Sequence, residues 1–399
     1  MRMIRAVAIM LALTVTITLV GCVSYVDLSD RAIVQAIGID YIPDKKVYRI
    51  SMQYFNQSSE GGQNQIDKTQ DNVLKSVGEG ESIFAAAKNA SMLTGKDLLL
   101  SENRLIIIGK ELRKYKLGDT LEFFVGNYHS HPQAYVAAAE DTAEELLDIR
   151  FKEGSTSSQR LANLIHNASV ESRNKSTYPY QVMTMLCTST ESAFLPLLTT
   201  ATLKTDVTIP KETGGGKGNG GGEEQSEDGE KTIILDGGVV FKGGKELCRV
   251  DDDGAMAIFF MNDMPSEYSF TVPLGQNAKP SVMLIGVTRS IKATEYNGKV
   301  KFDVSFSASG KIGSKGGMKE DEKKAAEKVA ERELKRKIES SVIPIAEKGC
   351  DVFGLEKTLR RCCNRFYREN KDRVGEIIAE SEIEVNVNID IFSQGIGGA

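Results

Sequence analysis

The chain has 399 residues, with 50 Lys+Arg against 55 Asp+Glu and a formal net charge of −5. Counting glycine with the apolar residues and leaving tyrosine out, about 47% of the chain is apolar, inside the roughly 45–50% of ordinary globular proteins, which excludes a wholly disordered chain. The acidic balance argues against bulk attraction to nucleic acid, and three histidines with six scattered cysteines leave little material for a zinc enzyme. At roughly 100–200 residues per domain, the length predicts two or three domains, each able to bury a core.

The N-terminus reads as an export signal. Arg2 and Arg5 form a short positive region, followed by 15 uncharged, mostly apolar residues at 6–20. That run is short for a membrane-spanning helix, which needs roughly 20 residues, and suits the apolar part of a signal peptide. It ends in Leu19-Val20-Gly21-Cys22. This resembles the bacterial lipobox, in which a small residue precedes a cysteine whose thiol receives a diacylglyceryl group before cleavage. The mature chain would then begin at Cys22, held on the outer face of a membrane by its acyl chains, because two chains anchor stably where one does so marginally.

Beyond the leader, residues 32–40 (AIVQAIGID) read as a strand, 43–46 (PDKK) as a turn, and 47–55 alternates in polarity, together a hairpin. Residues 58–71 are polar and Gly/Gln-rich, a loop. Residues 82–93 read as a helix with Ser82 as N-cap and Gly95 as terminator. A buried-type strand at 105–108 (LIII), a helix at 117–128, a strand at 134–139 and a short capped helix at 142–149 follow. Residues 159–170 and 180–186 read as helical, and 194–200 as extended.

Residues 211–231 differ in kind: eight glycines and a cluster of acids without one apolar side chain. Such a stretch cannot bury surface against its ordering entropy and reads as a flexible linker or insertion. After it come a strand at 232–242 with a bulge or turn at Gly237-Gly238, an apolar stretch at 255–260 and an alternating one at 268–272. Two strands at 281–293 and 299–308 join around Asn297-Gly298, a strong hairpin turn. The period then changes. Ala326, Ala330, Leu334, Ile338 and Val342 recur every fourth position among charges, predicting a long amphipathic helix. A second helix is expected over 354–369, and 382–392 (EIEVNVNIDIF) alternates as a closing strand. The fold class expected is α+β or α/β, multidomain, each domain a mixed sheet with helices packed against it.

Motifs that would carry chemistry fail on spacing. After Cys22 the cysteines are Cys187, Cys248, Cys350, Cys362 and Cys363. They form no CxxC pair, so no metal site is expected, and they read as buried and inert, with one free thiol expected from the odd count. His129 and His131 beside Pro132 read as loop residues. Gly95-Lys96 and Gly243-Gly244-Lys245 lack the other residues of a phosphate loop. Asp251-Asp252-Asp253-Gly254 lacks the spacing of an EF-hand and reads as an acidic turn between strands. There is no G-x-S-x-G. The feature that stands out is basic: from 356 to 373 the chain carries a local charge of +4. Arg360, Arg361, Arg365 and Arg368 are the candidate partner-binding residues, facing a protein or an anionic lipid surface.

Taken in order, these segments resemble the Ger(x)C family, the lipoprotein C subunits of spore germinant receptors. The resemblance rests on Cys22 followed by 27–40 (DLSDRAIVQAIGID), on 101–112 (SENRLIIIGKEL), on 137–147 (AAAEDTAEELL), on 237–250 (GGVVFKGGKELCRV) and on 350–355 (CDVFGL). The chain departs from the family pattern in having no Trp, in Val23 directly after the lipid cysteine, and in Cys362-Cys363-Asn364 on the late helix. The resemblance implies α/β-type domains outside the spore inner membrane and partnership with a multispanning A subunit and a transporter-like B subunit. It implies neither catalytic residues nor a cofactor, and only Cys22, the lipid-attachment residue, has a role that transfers. A membrane-anchored solute-binding lipoprotein is the alternative reading, and an exported enzyme the third.

The organisation expected is a signal peptide at 1–21, an N-terminal region at 22–205 with two subdomains, a linker at 206–231 and a C-terminal α+β domain at 232–399. Shortening 211–231 to a few Gly/Ser should leave the thermal midpoint nearly unchanged, since loop-closure entropy grows only as about (3/2)RT ln n. A large loss in a thermal melt would show that the segment packs.

Overall fold

The structure is a computed structural model that describes residues 3–5, 10, 30–55, 73–126, 130–149, 157–203, 230–273, 280–312 and 319–393. The lipobox with Cys22, His129, the 58–71 loop and nearly all of the 206–231 segment lie outside the described residues.

Two mixed sheets organise the chain. The first takes β1 (Arg31–Ile42), β2 (Val47–Phe55) and β3 (Val73–Gly80), then α1 (Ile83–Thr94), β4 (Asp97–Leu99) and β5 (Leu105–Ile108). It continues with α2 (Leu117–Gly126), β6 (Tyr135–Ala139), α3 (Ala143–Asp148), α4 (Ser157–Val170), α5 (Pro179–Leu186) and β7 (Ala193–Leu203). It closes with β8 (Glu230–Lys242) and β9 (Lys245–Val250). The strand order is β3-β2-β1-β5-β6-β7-β8-β9, with the short β4 also paired to β1. The central pairs β1–β5, β5–β6 and β6–β7 are parallel, and the flanking pairs are antiparallel. β8, which begins at Glu230 within the end of the 206–231 segment, and β9 therefore extend the sheet begun before it.

The parallel centre is covered on both faces, as such strands require. Period-2 alternation divides it. Ile106, Ile108, Val136 and Ala138 face one core with Ala86 and Ala90 of α1 and Leu121 and Phe124 of α2. Leu105, Ile107, Ala137 and Ala139 face the other with Leu146, Leu147, Leu161 and Ile165 of α3 and α4. Ser82 caps α1 by accepting the Ala85 N–H, and Gly95 ends it in the left-handed region at φ 65°.

The second sheet runs β10 (Glu267–Thr271), β11 (Ser281–Tyr296), β12 (Lys299–Ile312) and β13 (Glu382–Ser393) in that order, with β12–β13 parallel. Asn297 and Gly298 turn the β11–β12 hairpin with φ of 53° and 79°, the conformation that selects Asn-Gly at such turns. Helix α6 (Asp252–Asn262) precedes this sheet, and α7 (Glu320–Ala346), α8 (Leu355–Cys362), α9 (Asn364–Glu369) and α10 (Val374–Glu380) lie between β12 and β13. The α7 stripe Ala326, Ala330, Leu334, Ile338 and Val342 is buried as its spacing predicts, each large aliphatic worth about 1.5–3 kcal/mol of transfer free energy. On its flank, Glu327 and Glu331 accept the backbone N–H groups of Ile391 and Ile389 at 2.9 and 3.0 Å. Those donors belong to β13, one of the two edge strands of the sheet.

Two expectations are corrected here. Asp251-Asp252-Asp253-Gly254 is not a turn between strands but the start of α6. Asp251 caps the helix through the Gly254 N–H at 2.9 Å, and Asp252 and Asp253 fill the first turn, where carboxylates meet the positive end of the helix dipole. From Gly254 to Met261 every residue of α6 is buried, in a core shared with Phe194 and Val240 of the first sheet and with β10–β13. The expected helix over 354–369 is also broken. Cys363 leaves helical geometry at φ −125°, ψ 51°, and its thiol points to the Ala293 carbonyl of β11 at 3.5 Å.

The junction of β1, β5 and α3 joins three of the quoted segments. Asp40, 7% exposed, accepts the N–H groups of Ala143 and Glu144 at 2.8 and 3.0 Å. Burial raises its pKa while those two bonds pull it down. Gly109 lies so close that a Cβ there would sit 1.9 Å from the Asp40 carboxylate. Asp40→Ala leaves two amides without acceptors and should cost about 2–4 kcal/mol. Urea unfolding checks this, and Asp40→Asn, which keeps one acceptor, should lose less.

Candidate functional site

The candidate basic surface is built on a loop that joins the two halves of the chain. Asp351 is buried, and its carboxylate accepts the N–H groups of Phe353, Leu355 and Glu356 at 3.2, 2.8 and 2.7 Å. It therefore supplies the cap for α8 that Gly354, left-handed at φ 76°, cannot supply. The Asp351 N–H donates to Ser192 Oγ at 3.0 Å, whose hydroxyl bonds Thr190 Oγ1 at 2.8 Å. One turn further on, Glu356 faces inward. It accepts the Ser189 N–H at 3.0 Å, the Ser189 hydroxyl at 2.7 Å and the Tyr367 hydroxyl at 3.0 Å. Burial and the Glu356 bond both raise the Tyr367 pKa. Asn262 of α6 donates to the Val352 carbonyl at 2.7 Å from the other side.

This network decides what α8 shows to solvent. Its acid, Glu356, is held inside with Leu355, Thr358 and Leu359, and its bases Lys357, Arg360 and Arg361 are exposed. The four arginines named from the sequence divide between two helices because of the break at Cys363. Arg360 and Arg361 stand on α8, Arg365 and Arg368 on α9. Arg361 donates to the Ile291 carbonyl of β11 at 2.8 Å, and Arg365 pairs with Glu369 at 3.0 Å. Arg360 and Arg368 are exposed and make no ion pair among the described residues.

The cysteines depart from the expectation of burial. Cys350 is buried, its thiol pushed up to about 12 by desolvation. Cys187 and Cys362 are exposed, and all five described cysteines are free. His131 sits in a loop and accepts the Gln133 N–H, while His166 meets the Tyr135 hydroxyl at 3.0 Å. Among the described residues no group of three or more His, Cys, Asp or Glu side chains could hold a metal ion. The sequence did not point to the Asp351–Glu356 network, since its partners at 189–192 lie far upstream. It did not point to the apolar face of α1 either, where Phe84, Met92 and Leu93 are exposed. Mass mapping after brief alkylation at pH 8 should find Cys187 and Cys362 modified and Cys350 protected until the protein is unfolded, because the thiolate is the reactive form.

Relatives are visible at the level of family and of fold. Residues 24–200 match the family model described as "Spore germination protein N-terminal domain", and residues 236–395 match "Spore germination B3/ GerAC like, C-terminal". No curated protein matches in sequence. The fold is similar to that in "Crystal Structure of the GerBC protein", at 13% identity and a TM-score of 0.52, over 89% of this chain and 96% of that one. The mixed-sheet fold anticipated from the sequence is thus that of a solved protein. With the two family models together spanning most of its length in the expected order, the chain belongs to the Ger(x)C family of spore germination proteins.

Proposed function

We propose that this protein is the lipid-anchored C subunit of a nutrient germinant receptor. In this reading, diacylglyceryl-modified Cys22 tethers it to the outer face of the spore inner membrane. There it assembles with the membrane A and B subunits and acts by binding proteins, without catalysis. The observation that carries the proposal is the pair of family models tiling the chain in order, the first beginning at residue 24, two positions after Cys22. No helix among the described residues is long and apolar enough to cross a membrane, so attachment in this reading comes from the acyl chains.

The same reading takes 1–21 as a removed leader and 206–231 as a linker within the chain. It takes the exposed bases of α8 and α9 as a contact surface for an acidic partner loop or anionic headgroups. Arg360 and Arg368 are the residues to test, since Arg361 and Arg365 are engaged by the protein itself.

Cys22→Ala should leave an uncleaved precursor without the diacylglyceryl group, read by mass spectrometry of the N-terminus; an unmodified Cys22 in the parent chain, or cleavage elsewhere, would remove the anchor from the proposal. In a lipidated chain, Arg360→Glu with Arg368→Glu should change stability by less than about 0.5 kcal/mol, as for solvated positions. It should nonetheless reduce co-purification with the A and B subunits and nutrient-triggered germination. Normal assembly and germination would remove this surface from the proposal.

A further inference from the structure

Helix α1 exposes three large apolar side chains beside Lys88 and Asn89 on its solvent side. Ala86 and Ala90 turn inward against Gly78 and Gly80 of β3, so close that a Cβ at either glycine would collide with the helix backbone. The solvent side carries Phe84, Met92 and Leu93, which are 65%, 70% and 75% exposed; Met92 stands near its middle and Phe84 and Leu93 on its two flanks, about 180° apart around the helix. Single exposed apolar residues are ordinary; three on one three-turn helix are not. Phe84 meets Phe123 of α2 edge to face at 6.4 Å. Between these helices and β4 lies an open groove of about 540 Å³, with Phe84, Met92 and Phe123 on its walls and Asp30 at its margin.

Asp30 gives this groove a neighbour. It immediately precedes β1, and Cys22 lies eight residues before it. Even fully extended, eight residues span at most about 28 Å. A lipid group on Cys22 therefore keeps the surface around Asp30 within that distance of the bilayer, whichever partners are present. Within the groove Lys88 and Lys96 offset Asp30 and Asp97, while Glu81, Asp119 and Glu122 lie on the far side of Phe84 and Phe123.

We propose that the outer face of α1 is a second membrane contact, with Phe84, Met92 and Leu93 seated in the interfacial layer of the lipid bilayer and Lys88 at headgroup level. The proposal rests on lipid attachment at Cys22. Two acyl chains already hold a protein stably, so the contact sets orientation more than affinity. It converts a swivelling tether into a fixed pose, in which the same surfaces always face sideways and outward.

The chain contains no tryptophan, so one introduced indole reports on its site alone. The experiment uses the full lipidated chain on vesicles of phosphatidylcholine and phosphatidylglycerol carrying brominated acyl chains. Leu93→Trp is compared with Tyr296→Trp, at a site 76% exposed on the second sheet. Flotation reads the anchor and quenching reads the face. The expected result is a blue shift and loss of about half or more of the Leu93→Trp emission, as for groups about 5–10 Å into the interface, with the Tyr296→Trp emission unchanged. Adding Phe84→Glu and Met92→Glu to Leu93→Trp should restore the emission while flotation persists. Flotation without quenching at position 93 overturns the membrane contact and leaves the anchor standing. A blue shift that appears only with the membrane subunits present, without lipid quenching, also overturns it and assigns the face to a protein. Absence of flotation overturns the anchor, and this proposal with it.

Discussion

A carboxylate taken out of water has to be met by donors, and this molecule meets two of its buried carboxylates with the starts of helices. Asp40 takes the first amides of α3, and Asp351 takes those of α8. In each case the acid removes an unsatisfied end from the helix, and the helix stabilises the charge that burial opposes. Because Asp40 stands on β1 and α3 follows β6, the first pairing locks the central strands to the layer that covers them. Because Asp351 also donates to Ser192, just ahead of β7, the second ties the late helices to the first sheet. Glu356 repeats the tie one turn later. Removing either acid would expose more than one contact, since each holds an element in place for others to pack on.

The shared core makes this tie consequential. Helix α6 is buried all round and touches the hydrophobic residues of both sheets. A break at the Asp351 loop would open that core along a line where no polar face has been prepared. The same loop turns Glu356 inward and leaves Lys357, Arg360 and Arg361 outward, so the basic surface is a by-product of how α8 is fastened.

Elements with a clear period were legible in the sequence. The alternation of 382–392, the fourfold spacing from Ala326 to Val342 and the Asn297-Gly298 turn each specify one conformation through local chemistry. Helix α6 was not legible as a helix, because a segment buried on every side has no polar face to set a phase, and its three aspartates imitate a turn. The break at Cys363 has no glycine or proline to announce it; it coincides with a thiol reaching a carbonyl on β11. The four arginines were found by charge alone, but which of them remain unengaged depends on Ile291 and Glu369. The exposure of the apolar residues of α1 was not legible, since exposure is a property of what a helix packs against and is not written in its composition.

The two glutamates of α7 that reach the edge of the second sheet have a consequence for how such molecules live together. A strand with unused amides is a template on which another chain can grow. Copies held on one membrane, as proposed, meet in two dimensions, repeatedly and in similar orientations, which are the conditions that favour ribbon formation. Glu327 and Glu331 consume the Ile391 and Ile389 amides internally. In a crowded patch of these proteins, that end of β13 therefore has two fewer donors to offer a neighbouring chain.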